Sequence, residues 1–138
     1  MNALKIEQSS NIGMLLLRST IGILILFHGI ANLNSNYAFI KQLLEGYQIP
    51  DFLAYGVFIG EVIAPILIII GYKTRLNSLI IAFNFLTAIV LAHSSDILSL
   101  NQFGGWGIEL QALYLFGATT LFFIGAGRYA VSIHSKWD

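Results

Sequence analysis

Apolar residues gather into four long stretches, at positions 12–33, 52–72, 76–95 and 106–126, and none shows the charged face that a water-exposed helix carries. About 20 apolar residues rising ~1.5 Å each cross the hydrocarbon core of a bilayer, so each stretch predicts a membrane-spanning helix. Between the first two, Ile40, Leu43, Leu44 and Tyr47 recur at helical spacing while Lys41, Gln42 and Glu45 turn away, and Pro50 closes the segment. That pattern predicts a short helix lying on the outer surface. The connection before the fourth stretch has no such period, and Gly104 and Gly105 mark a bend there. The expected architecture is therefore all-α: an integral membrane bundle of four transmembrane helices, with a short outer interfacial helix between helices 1 and 2. Residues 1–138 read as a single domain.

Composition agrees with the pattern. Charged residues make up 10% of the chain and apolar types 57%, where soluble domains carry about 25% charged residues. A secretory signal would need a shorter apolar run, of about 7 to 15 residues, followed by an Ala-x-Ala cleavage pattern that is not seen after the first stretch. The formal net charge of zero supplies no basic field for nucleic acid, so no nucleic-acid partner is expected. With no cysteine, the chain has no thiol of its own for a disulfide, a redox cycle or an iron–sulfur cluster. Redox work would need a borrowed carrier.

An even number of spans puts both termini on one side. Lys5, Lys73, Arg75, Arg128 and Lys136 share that side, against Lys41 alone on the other, so both termini are expected in the cytoplasm of a multi-pass protein. Tyr47, Tyr55 and Trp106 are then expected near the outer interface, and Tyr72, Tyr129 and Trp137 near the inner one. The expected location is a bacterial plasma membrane.

The polar residues inside the spans carry the candidate chemistry, because ionisable groups within a membrane are costly and commonly mark a pocket or pathway. Arg18, Gly22, Ile25, Gly29 and Asn32 form one stripe on the first helix. The second helix places Glu61 beside the small residues Gly56, Gly60 and Ala64, and Pro65 removes the N–H that would bond the Glu61 carbonyl. Arg18 lies about 7 Å to the cytoplasmic side of the midplane and Glu61 close to it, so a buried Arg18–Glu61 pair is expected, fixing which helix meets which. Asn32 and Asn84 are further intramembrane polar groups. His28, His93 and Glu109 lie about 8 to 10 Å to the outer side, which makes them candidate ligand-binding residues.

Within that set, His28 and Glu109 are the expected core. Histidine titrates near neutral pH, which suits proton transfer to a quinone head group, and Phe27 and Leu113 would wall a flat ring. His93 points about half a turn from Asn84, so both face the bundle axis only where the helix loosens near its end. The same facing argues against a haem between His28 and His93. No metal site or covalently bound cofactor is expected. His134 and the charges of the tail read as solvated.

With these residues in place, the chain resembles the DoxX family of small four-helix membrane proteins. The likeness runs through Arg18, the "FHG" at 27–29, Glu61, "GYKTR" at 71–75, "AIVLAH" at 88–93, Glu109 and "GAGRYAVS" at 125–132. It departs at Asn32, where many members carry a lysine, so a role for that amine in binding an anion does not carry over. The resemblance implies a membrane subunit or partner in quinone-linked or thiol-linked redox processes, with a soluble redox protein or an oxidoreductase subunit as the partner. Small-solute or proton transport, cargo handling, and assembly or scaffolding remain alternatives.

Overall fold

The computed structural model describes residues 3–138. Their helices are α1 (Ala3–Asn34), α2 (Ala38–Gly46), α3 (Asp51–Ile70), α4 (Thr74–Ala92) and α5 (Glu109–Ile124). Among the described residues there is no strand, only an isolated bridge between Leu100 and Trp106. Helices α1, α3 and α4 are long and apolar enough to cross a membrane, whereas α5, with 16 residues, is apolar but shorter. The fourth apolar stretch begins at Trp106, yet that residue pairs with Leu100 and its indole Nε1 donates to the Ile97 carbonyl at 2.7 Å. Those bonds hold 106–108 in the loop, and the helix starts at Glu109.

Helices α1, α3, α4 and α5 pack around one core of Ile21, Ile25, Ala64, Ile68, Ile81, Phe85, Tyr114, Ala118 and Leu121. The polar arrangement is inside-out relative to a soluble protein. Arg18 is only 2% exposed, and Glu61, Thr74, Asn77 and Ser78 are buried with it, while Phe83 is 71% exposed and Phe116 and Phe123 also face outward. An exterior that apolar is stable against lipid and a liability in water. The protein is a multi-pass membrane protein.

Glycines set how closely α3 is approached by its neighbours. A side chain at Gly29 would collide with the Glu61 carbonyl, and one at Gly22 would come within 3.0 Å of the Pro65 carbonyl, so α1 lies backbone-close along α3. From the other side, a Cβ on Gly60 would sit 2.7 Å from the Asn84 Cβ on α4. Helix α3 itself is irregular: a 3-10 turn at Asp51–Tyr55, an α-turn at Gly56–Phe58, a π-turn at Ile59–Ile63 and regular helix over Ala64–Ile70. The wide π-turn ends two residues before Pro65, which has no N–H to offer the Glu61 carbonyl.

At the far end of α3 every carbonyl from Leu67 to Gly71 has a donor. Gly71, left-handed at φ 77°, and Tyr72 donate to Ile68 and Leu67, while Val131 and Ser132 in the tail donate to Ile70 and Gly71. Arg18 supplies the rest, from Nη1 to Ile69 at 2.7 Å and to Ile68 at 3.1 Å. Its Nη2 donates to the Tyr129 carbonyl. In hydrocarbon an unmet carbonyl costs several kcal/mol, so a cation at a helix C-terminus answers both the hydrogen-bonding demand and the helix dipole.

Candidate functional site

The expected Arg18–Glu61 pair does not form; Arg18 is spent on the carbonyls that end α3 and on the tail. Register explains it. Gly29, not Arg18, lies against Glu61, and 11 residues of helix separate the two α1 positions, about 16 Å at ~1.5 Å per residue. No arginine stem spans that distance.

Glu61 is held instead by two amides. Asn32 Nδ2 on α1 donates to Oε2 at 2.6 Å, and Asn84 Nδ2 on α4 reaches Oε1 at 3.4 Å. Three helices therefore converge on one carboxyl group, which sits in the π-turn of α3. The close approaches at Gly29 and Gly60 are what bring the two asparagine-bearing helices within reach.

This network forms part of the wall of a cavity of about 530 Å³. His28, Asn32, Glu61, Asn84, His93 and Gln111 supply its polar groups, and most of the remaining wall is apolar, from Phe83, Phe85, Leu110 and Tyr114 among others. Helix α2 covers one side with Phe39, Ile40, Leu43 and Leu44. It is tethered there by the Tyr47 hydroxyl, which donates to the Leu91 carbonyl of α4 at 3.0 Å. The His28 ring stands edge-on to Tyr114, with centroids 5.7 Å apart, and neither side chain is hydrogen-bonded to another described residue.

His93 reaches the cavity because α4 stops at Ala92, leaving His93 at φ −127°, outside the helical phase that opposes it to Asn84. Its Nδ1 lies 3.2 Å from Asp96 Oδ2 and its Nε2 lies 3.0 Å from Gln111 Nε2. For the Gln111 amide to donate, Nε2 must be the bare nitrogen and the proton must sit on Nδ1, pointing at Asp96.

Glu109 is not part of this cavity. It is exposed at the start of α5 and lines a neighbouring, shallower hollow with Asn101, Trp106 and Gly107, which shares Leu110 and Gln111 with the cavity. Phe27 and Leu113, the expected walls, are likewise exposed and absent from the lining. The physical reason is helical phase. Gln111, Tyr114, Ala118 and Leu121 follow one another at steps of three and four along the inward face of α5, and Glu109, two residues before Gln111, lies about 200° around the helix from it. Height along the membrane alone cannot distinguish the two; the run of small and apolar residues below Gln111 could have.

A cavity with mainly apolar walls and a few polar groups, in a bundle with a lipid-like exterior, defines an α-helical membrane protein. The family model for DoxX matches residues 13–94, from within α1 to just past α4. The chain belongs to the DoxX family. It is also similar to "Putative oxidoreductase CatD" of Bacillus subtilis (strain 168), with 31% identity over 84 residues, which cover 61% of this chain and 62% of that relative. The chain thus matches less than two thirds of the relative's length. No solved structure matches it.

Proposed function

We propose that residues 1–138 form one domain of four transmembrane helices in a bacterial plasma membrane, with both termini cytoplasmic and α2 at the outer interface. In this reading the protein is a membrane subunit or partner in quinone-linked or thiol-linked redox processes. The cavity beneath α2 carries the proposal. Its volume falls within the range of about 300 to 1,000 Å³ usual for small-molecule sites, and its aromatic and leucine walls with a few convergent polar groups suit a flat ring bearing two carbonyls.

A quinone bound there would supply a carrier for two electrons and two protons, the kind of carrier a chain without cysteine lacks. His28 and the Tyr114 hydroxyl, both free of protein partners among the described residues, would donate hydrogen bonds to the carbonyls. Asn32 and Asn84 hold the Glu61 carboxyl at the cavity wall, where it can exchange a proton with the bound head group. His93, itself in the cavity wall, and Asp96 form a hydrogen-bonded step toward the 94–96 turn, which suits proton exchange with the outer water, while the Gln111 amide orients the ring. Electrons would come from, or go to, a soluble redox protein or an oxidoreductase subunit; the printed name of the Bacillus subtilis relative is in keeping with such company.

The test is equilibrium binding of a short-chain benzoquinone analogue to the protein in lipid nanodiscs. His28→Ala should weaken binding about tenfold or more, the loss expected when one hydrogen bond to a buried polar group goes unmade, and Glu61→Gln should weaken it measurably by removing the proton-exchanging carboxyl from the cavity wall. Glu109→Gln should bind as the parent does. A parent that binds no quinone, or His28 and Glu61 variants that bind it equally well, would overturn the redox reading in favour of transport or assembly.

A further inference from the structure

At the opposite end of the bundle from α2 lies a second cavity, of about 490 Å³, whose lining includes Arg75, Arg128, Lys136, Glu7, Asn11 and Asp138. It is built where the start of α4, the turn after α5 and the first turns of α1 meet. Gly125 and Gly127, both left-handed in φ at 79° and 73°, make that turn, and the Arg128 N–H fixes it by donating to Asn11 Oδ1 at 2.7 Å. Gly125 also makes room for the Asp138 main-chain oxygen and a guanidinium: a Cβ there would lie 3.0 Å from that oxygen, 3.2 Å from Arg75 Nε and 3.5 Å from Nη2.

Among the described residues the cations of this cavity have no hydrogen-bond or ion-pair partner for their side chains. Arg75 makes no side-chain hydrogen bond to a described residue, and its Nε is buried from water without an acceptor. Neither Arg75, Arg128 nor Lys136 forms an ion pair with a described residue; Lys136 only stands over the Trp137 ring, 5.5 Å from its centroid. The acidic members do not neutralise them. Asp138 is occupied by the Ser135 N–H, the Ser132 hydroxyl and the Lys73 N–H, and Glu7 forms no ion pair among the described residues. A buried, unmet guanidinium N–H is costly, so its persistence beside two further cations points to an acceptor-rich anion that the described residues do not supply.

We infer that this cavity is a phosphate site, and that it holds the headgroup phosphate of an anionic phospholipid. Guanidinium groups bind phosphate oxygens through paired N–H donors, and a lysine adds a point charge. The cavity lies at a membrane-facing end of the bundle, beside the exposed Tyr129 and Trp137, where headgroups are found. The inference does not depend on the redox reading, and it concerns different residues.

Native mass spectrometry of the protein released from nanodiscs tests it. The parent should retain phosphatidylglycerol in clear preference to phosphatidylcholine, Arg75→Gln and Arg128→Gln should each cut that retention about tenfold, and Glu7→Gln should raise it. The Arg128 side chain is exposed, so its variant keeps the test decisive should Arg75→Gln fold poorly. Inorganic phosphate, titrated against thermal unfolding in detergent, separates the sources. If it protects the parent as well as the lipid does, and this protection is lost in the same variants, the site is a phosphate site for a soluble anion and the lipid assignment falls. No preference between the two lipids together with no protection by phosphate, or arginine variants that behave as the parent, would overturn the inference.

Discussion

Asn32 Nδ2 donates to Glu61 Oε2 at 2.6 Å, which makes an amide rather than a cation the principal partner of the one acid buried in the helix core. The companion bond from Asn84 is longer, at 3.4 Å. Strength follows length here, so Asn32→Leu should cost about 1.5 to 3 kcal/mol of stability in detergent, and Asn84→Leu distinctly less. Asn32→Lys should be tolerated, because its ammonium can meet the same oxygen. Denaturation of the three variants in one detergent decides the order, and a costlier Asn84 variant would show that the Asn32 bond is not the main one.

Close backbone contact gives a second, sharper expectation. Gly29→Ala and Gly60→Ala each place a methyl group into a neighbouring helix and should destabilise by about 1 to 3 kcal/mol. Gly13 lies on the same helix as Gly29 with nothing within 4 Å of a would-be Cβ, so Gly13→Ala should be neutral or stabilising by about 0.5 to 1 kcal/mol. If Gly29→Ala were as benign as Gly13→Ala, α1 could not lie as close to Glu61 as described.

Arg18 and Glu61 share no hydrogen-bond partner, so their effects should be independent. Arg18→Ala removes a charged donor from three carbonyls, and Arg18→Lys, which lacks the forked geometry, should restore only part of the loss. In a cycle with Glu61→Gln the two effects should add to within about 0.5 kcal/mol. A large coupling between them would restore the ion pair that the structure replaces.

Much of this architecture was legible in the sequence, and each error has its own physical cause. Apolar runs fix where helices lie and how deep each polar residue sits, so the long apolar helices and a short helix between the first two followed from pattern alone, whereas His93 reaches the cavity beside His28 only because α4 stops at Ala92. Runs carry no register between helices. Counting residues from the span ends puts Arg18 and Glu61 close in height, but the close contacts of Gly22 and Gly29 set α1 against α3 so that Arg18 meets the end of the helix. Rotational phase was the other gap: Glu109 and Gln111 differ by two residues, and of the two only Gln111 reaches the cavity. The tail was opaque for a different reason. Its bonds to Ile70, Gly71 and Lys73 join positions about sixty residues apart, and no local period announces them.

The proposed orientation is open to direct chemical test, because a chain without cysteine gives single-cysteine probes no background. In intact cells a cysteine at Asn101, in the exposed loop before α5, should react with an impermeant thiol reagent, and one at Ser135 should not. Reaction at Ser135 with protection at Asn101 would invert the topology, and would move α2 and its cavity to the cytoplasmic side.

The tail should respond to acid through Asp138. The Ser135 N–H at 2.6 Å, with the Ser132 hydroxyl and the His134 and Lys73 N–H groups, holds this carboxyl below the usual aspartate range. A carboxyl lowered on folding contributes fully to stability above its unfolded value of about 3.9, and that contribution is lost as pH falls toward and through the lower folded value. The latch joining the tail to the start of α4 should therefore be intact at neutral pH and open only in strong acid. The NMR signal of the Trp137 indole reports on it, since the Trp137 carbonyl accepts the Arg75 N–H at 2.9 Å. That signal should shift with a midpoint below about 3.9 in the parent, and in Asp138→Asn it should already occupy the acid position at neutral pH. A midpoint at or above the ordinary aspartate value, or an Asp138→Asn spectrum unchanged at neutral pH, would mean that the carboxylate does not hold the tail.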